Sequence, residues 1–130
     1  MPENCPFCEM LQGNLLKNPG VLFVSRHFFA VQDAFPVNKG HVLLIPKRHI
    51  ASPFDLHQDE SEALPGELGR LKTHLQDSLR PDGYNIGVNI GEAAGQTVFH
   101  LHIHVIPRYQ GDVKNPRGGI RNLKKPLVKY

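Results

Sequence analysis

The chain has 130 residues, 40% of them hydrophobic and 21% charged, which argues against intrinsic disorder and fits one domain of common size. Its longest apolar run is only a handful of residues, and no charged start followed by an apolar core and a cleavage site opens the chain. Neither a membrane span nor secretion is therefore expected, and the expected location is the cytoplasm.

The net charge of +3 is unevenly placed. Residues 107–130 carry Arg108, Lys114, Arg117, Arg121, Lys124, Lys125 and Lys129 against Asp112 alone, whereas residues 1–106 hold eight basic and eleven acidic residues. A basic terminal stretch reads first as a solvated tail; a nucleic-acid partner would rest on it alone and is not expected.

In chain order, the cysteines Cys5 and Cys8 come first. They are too few and too close to staple a fold, so a metal or redox role competes with simple burial. A short helix is expected at about residues 7–11. Residues 21–25, 28–32, 41–45, 84–90 and 98–106 are rich in β-branched or aromatic residues and bordered by Gly, Pro, Asn or Asp, the pattern of five strands. Between the third and fourth, Leu64, Leu68, Leu71, Leu75 and Leu79 recur at helical spacing, predicting an amphipathic helix that ends near Pro81. Pro65-Gly66 inside this pattern predicts either a kink or a first turn that begins at the proline.

This order predicts an α+β fold: an antiparallel sheet of about five strands, one long helix and a short N-terminal helix. A domain is expected over residues 1–110. Residues 111–130 should form a basic, Pro/Gly-containing tail, mostly extended or looped.

The most informative stretch is Gly95-Gln96-Thr97-Val98-Phe99-His100-Leu101-His102-Ile103-His104-Val105-Ile106. On a strand the three histidines share one face, with Leu101, Ile103 and Val105 on the other. The row is too long for one metal ion: Cα atoms of His100 and His104 would lie ~14 Å apart, against metal–nitrogen bonds of ~2.0–2.1 Å. Two neighbours can instead share one phosphorus, one attacking as neutral imidazole and the other stabilising charge. The Gly-rich turn before them places backbone amides, the Gln96 amide and the Thr97 hydroxyl where phosphate or leaving-group oxygens would lie. His27, His57 and His74 read as solvated surface positions.

With these residues in view, the chain resembles the histidine triad (HIT) family of nucleotide hydrolases and transferases. His100-Leu101-His102-Ile103-His104-Val105-Ile106 fits the family's alternating His-apolar signature. Similarity extends through Asp33-Ala34-Phe35-Pro36-Val37-Asn38-Lys39-Gly40-His41 and on to Pro46-Lys47-Arg48-His49, and through Asn85-Ile86-Gly87-Val88-Asn89 and Ala94-Gly95-Gln96-Thr97. The resemblance implies a homodimer and a covalent nucleotidyl-His102 intermediate resolved by water. It implies that His104 holds the α-phosphate oxygens, His41 supports the row from behind, and Gln96 with Thr97 contacts phosphate or the departing group. Asp33 would bind the ribose hydroxyls, Asn89 would lie near the phosphates, and Phe7 and Leu11, with Phe29, are candidates for the apolar slot that takes the base.

Some bacterial-type members of the family bind zinc with a Cys2His2 set whose four positions correspond to Cys5, Cys8, His49 and His100, so the resemblance implies a structural zinc site. The expected reaction is hydrolysis of dinucleoside polyphosphates such as diadenosine tetraphosphate. The tail supports this choice, because residues 111–121 resemble a segment of bacterial diadenosine tetraphosphate hydrolase-like members and offer Arg117 and Arg121 to the distal phosphates. Phosphoramidate hydrolysis and nucleotidyl transfer are the alternatives within the family. A purine-nucleotide-binding regulatory or adaptor protein is the alternative of another class.

Overall fold

The computed structural model describes residues 4–124. Helix α1 (Pro6–Gln12) leads into strands β1 (Val21–Val24), β2 (Phe28–Gln32) and β3 (Val42–Pro46). The long helix α2 (Gln58–Leu79) precedes strands β4 (Gly83–Gly87) and β5 (Ile103–Arg108). The strands form one antiparallel sheet in the order β1-β2-β3-β5-β4.

Both faces of β2 and β3 are covered, so these strands read as nearly continuous apolar runs. Phe28, Ala30, Val42, Leu44, Ile103 and Val105 face α2, where Leu71 and Leu75 are buried and Leu64, Leu68 and Leu79 pack at the edges. The intervening Phe29, Val31, Leu43 and Ile45 face α1 and pack with Cys5, Phe7 and Cys8. Burying a leucine such as Leu71 stabilises the fold by about 1.5–3 kcal/mol relative to its exposed state. The leucine stripe is therefore the seam between α2 and the sheet.

Helix α2 starts seven residues before Pro65, not at it. Its first turn is polar and was invisible to apolar periodicity; Glu60 secures it by accepting from the His57 backbone N–H at 2.7 Å and from Arg48 Nη2 at 2.8 Å. The helix runs on through Pro65, which lacks the N–H that would bond the Ser61 carbonyl, and ends at Arg80 in a left-handed conformation.

Two strands are shorter than their patterns suggest. β4 stops at Gly87, and β5 begins only at Ile103, so His100 and His102 precede the strand instead of lying on it. The Leu101 N–H donates to the Ile50 carbonyl at 2.6 Å, diverting this segment from the ladder.

After β5, Asp112 accepts from Arg108, from the Tyr109 backbone and from Asn38, closing a turn against the segment before β3. A 3-10 turn at Gly119–Leu123 returns to β4, where a Cβ added to Gly87 would lie 3.7 Å from Ile120 Cδ1. Lys125, Pro126 and Lys129 of the expected tail lie outside the described residues. Among the described residues, no helix is long and apolar enough to cross a membrane.

Candidate active site and metal cluster

His104 pairs in register with Leu43 of β3 and Gly87 of β4, which places it on the α1 face of the sheet. His102 lies beside it, with the two ring centroids 5.2 Å apart and the ring planes inclined at 65°. Leu101, Ile103 and Val105 are buried under α2 as the alternation predicts.

Hydrogen bonds set the tautomers of these rings. The His102 Nδ1 lies 2.8 Å from the His100 carbonyl, which can only accept, so Nδ1 carries the proton and Nε2 keeps a free lone pair. A relay behind His104 has the opposite polarity. The Val37 backbone N–H donates to His41 Nδ1 at 3.1 Å, leaving the His41 proton on Nε2, from which it is donated to His104 Nδ1 at 2.9 Å. His104 must then carry its own proton on Nε2. The pair therefore presents one nucleophilic nitrogen and one N–H donor on adjacent rings.

Burial supports the neutral forms of His41 and His104. His41, only 3% exposed, has its pKa lowered chiefly by burial, with the Asp33 carboxylate 3.3 Å away opposing the shift. The pKa of His104 is lowered by burial first and then by His102 and His41.

Asp33 stands at the end of the relay. Its Oδ1 accepts from the Phe35 N–H at 2.8 Å, and its Oδ2 lies 3.9 Å from His104 Nδ1. The carboxylate also borders a cavity of about 720 Å³ between the 33–42 segment and the last turns of α2.

The remaining expected site residues separate into two groups. Thr97 and Asn89 are exposed on their loops, Leu11 is half-buried on α1, and Phe7 is buried against the His100 and His102 rings, with centroid distances of 5.5 and 5.2 Å. Gln96, at 4% exposure, is turned into its own loop: Oε1 accepts from the Gly91 N–H, and Nε2 donates to the Ala51 and Val98 carbonyls. Its amide is committed to bracing that loop rather than open to a phosphate. Phe29 lies wholly in the core and meets no solvent-facing slot.

Of the other histidines, His27 lies 3.5 Å from Asp59, His57 caps α2, and exposed His74 lies against Phe23.

His100 departs from the row. It is fully buried and joins Cys5, Cys8 and His49, whose ligand atoms all lie within 4.8 Å of one another. The Cys5 Sγ–His100 Nδ1, Cys8 Sγ–His49 Nδ1 and Cys8 Sγ–His100 Nδ1 distances are 3.4, 3.3 and 3.6 Å, and the two Nδ1 atoms are 3.1 Å apart. A tetrahedral zinc with its usual bond lengths requires edges of about 3.3–3.8 Å; the three sulfur–nitrogen distances lie in this range and the nitrogen–nitrogen distance just below it, so this donor set fits such an ion after a small outward shift of the two rings. The His100 Nε2–H donates to the Pro46 carbonyl at 2.8 Å, which turns the Nδ1 lone pair toward the cluster. Without a cation, burial and the neighbouring Cys5 push the Cys8 thiol up to about 11.

Several contributors carried no residue-type signal in the sequence. The Val37 N–H and the His100 and Pro46 carbonyls act through the backbone, which every residue possesses. Arg48 and Glu60, which pin the segment carrying His49 to α2, are ordinary charged residues at positions 48 and 60 until the fold joins them.

A ring nitrogen with a free lone pair beside a proton-donating imidazole, at the start of an inner strand and backed by a histidine relay, is an arrangement suited to chemistry at phosphorus. The HIT domain family model matches residues 17–111, and the chain belongs to that family. It is 36% identical over 110 residues to an AP-4-A phosphorylase of Mycobacterium tuberculosis, covering 82% of this chain and 55% of that protein. It is 35% identical over 101 residues to a bis(5'-adenosyl)-triphosphatase of Dictyostelium discoideum, covering 78% and 68%. A solved structure of a Zn-bound histidine triad family protein from Mycobacterium smegmatis superposes with a TM-score of 0.72 at 34% identity, covering 84% of this chain and 78% of that one.

Proposed function

We propose that this chain hydrolyses nucleoside 5'-phosphate derivatives, dinucleoside polyphosphates first among them, through a nucleotidyl-His102 intermediate. The observation that carries this reading is the free Nε2 lone pair of His102, fixed by the His100 carbonyl beside the His104 donor. His102 Nε2 attacks the α-phosphorus, the Nε2–P bond forms, and the bond to the departing phosphate oxygen breaks. His104 Nε2–H donates to a non-bridging oxygen as negative charge grows there, and His41 keeps that proton on the correct nitrogen. Water then attacks phosphorus and loses a proton to solvent, the Nε2–P bond breaks, and the mononucleotide leaves with His102 Nε2 again unprotonated.

In this reading Asp33 accepts from the ribose hydroxyls, Thr97 and Asn89 meet the phosphates, and Leu11 borders a purine base. Gln96 acts by holding the loop that presents Thr97. Zinc held by Cys5, Cys8, His49 and His100 would cross-link α1 to the β3 end and the histidine segment. The working unit is a homodimer. The AP-4-A phosphorylase and bis(5'-adenosyl)-triphosphatase relatives support the polyphosphate substrate.

Product chromatography after incubation with diadenosine tetraphosphate or, separately, an adenosine phosphoramidate tests this, with His102→Ala as the blank. Mononucleotide release from the tetraphosphate, abolished in the blank, is expected. Cleavage of the phosphoramidate alone would keep the nucleophile and overturn the substrate; nucleotide binding without cleavage of either would favour a binding protein.

A further inference from the structure

We propose that the Cys5/Cys8/His49/His100 cluster positions the nucleophile as well as anchoring the N-terminus, with His100 and Phe7 as the positioning residues that connect it to His102. This rests on the reading of His102 as nucleophile. His100 contributes its side chain to the cluster and its carbonyl to His102 Nδ1, so one residue belongs to both sites.

The direction of that carbonyl follows from how His100 is held. Its Nδ1 faces the two thiols, its Nε2 is bonded to the Pro46 carbonyl, its ring stands edge-on to His49 at 4.9 Å, and the next backbone N–H is bonded to Ile50. Releasing the thiol side removes one of these restraints directly. The His102 proton then loses the fixed acceptor that keeps Nε2 unprotonated.

Phe7 provides the second connection. It lies between the two cysteines in the chain, and its ring contacts both His100 and His102. Helix α1 has only seven residues, too few to hold its conformation alone, so its placement depends on Cys5 and Cys8 and on apolar packing. A loosened α1 carries Phe7 away from the ring it supports. A buried ring against His102 also accounts for Phe7 without a direct base contact.

The test compares the full-length protein loaded with zinc, treated with a chelator and reloaded, together with zinc-loaded Phe7→Leu. Long-range proton–nitrogen NMR at one fixed pH reads which nitrogen of His102 is protonated; kinetics with diadenosine tetraphosphate and the Kd for adenosine 5'-phosphate are measured in parallel.

The loaded protein should show His102 protonated on Nδ1 alone. The chelated protein should show averaging between the two nitrogens, with kcat lower by about 10- to 100-fold, Kd within about threefold, and recovery on reloading. Phe7→Leu should keep its zinc and its Kd while kcat falls and the His102 signal moves toward the averaged one. A chelated, folded protein with an unchanged His102 signal would overturn the proposal. If chelation unfolds the chain, Phe7→Leu decides: a raised Kd with unchanged kcat makes Phe7 a base contact and refutes its positioning role. Failure of the loaded protein to cleave any nucleotide would refute the hydrolase reading, while the NMR comparison would still decide whether the cluster orients His102.

Discussion

Replacing Gln96 by alanine separates a phosphate ligand from a loop brace. The buried amide makes three hydrogen bonds, at 2.9 Å from the Gly91 N–H, 2.9 Å to the Ala51 carbonyl and 3.2 Å to the Val98 carbonyl. Truncation removes all three and leaves one donor and two acceptors to find water or remain unpaired. At about 1 kcal/mol for each neutral bond, with an added penalty for a group left dry, the expected loss is about 2–4 kcal/mol. Urea unfolding at neutral pH should show it as a midpoint lower by about 1–2 M. Activity should fall as well, because Thr97 follows directly in the chain, and Gln96→Glu should be no better, since it places a carboxylate oxygen against two carbonyls. A variant whose stability stays within about 0.5 kcal/mol of the parent while kcat/KM collapses would refute the brace and return Gln96 to the phosphate.

Glu60→Gln should destabilise the protein by about 1–2 kcal/mol at pH 7, discounted because the Arg48 partner is partly exposed. Hydrogen bonding from Arg48, against the opposing effect of burial, holds the Glu60 carboxyl below its ordinary range. Its contribution is therefore complete above the unfolded pKa and is lost as pH falls through the lower folded value; a stability gap to the variant that persists unchanged deep into acid would contradict this. Gly40→Ala should cost about 2–4 kcal/mol in a thermal or urea melt, because Gly40 has φ +86° and a Cβ there would collide with the Leu79 side chain. A near-neutral result would show that the turn before His41 relaxes freely. Asp33→Asn should raise KM for ribonucleotide substrates by about tenfold and affect 2'-deoxy analogues less, as measured by steady-state kinetics; equal effects on both would remove Asp33 from the ribose.

Local periodicity made much of this fold legible. Leucines at helical spacing identified the face of α2 that packs on the sheet, and the apolar runs located all five strands, because both signals depend only on side-chain direction along a regular backbone. The polar first turn of α2 was hidden because its stabilising partner, Arg48, is remote in sequence and speaks through an ion pair instead of an apolar period. The strand ends were overestimated for a similar reason: β-like residues continue past Gly87 and begin before Ile103, but the ladder partners do not.

For the site, residue types and spacing indicated that two neighbouring histidines of the row could share one phosphorus, while family resemblance chose His102 and His104 as that pair and grouped Cys5 and Cys8 with His49 and His100. The tertiary structure alone decided how those groups are used. It turned His100 inward to the thiols, set His102 and His104 in opposite tautomers, and spent the Gln96 amide on three backbone groups. The physical reason is that a nitrogen's protonation and an amide's availability depend on the nearest donor or acceptor in space, and here those partners are the backbone groups of Val37, Pro46, Ala51 and His100.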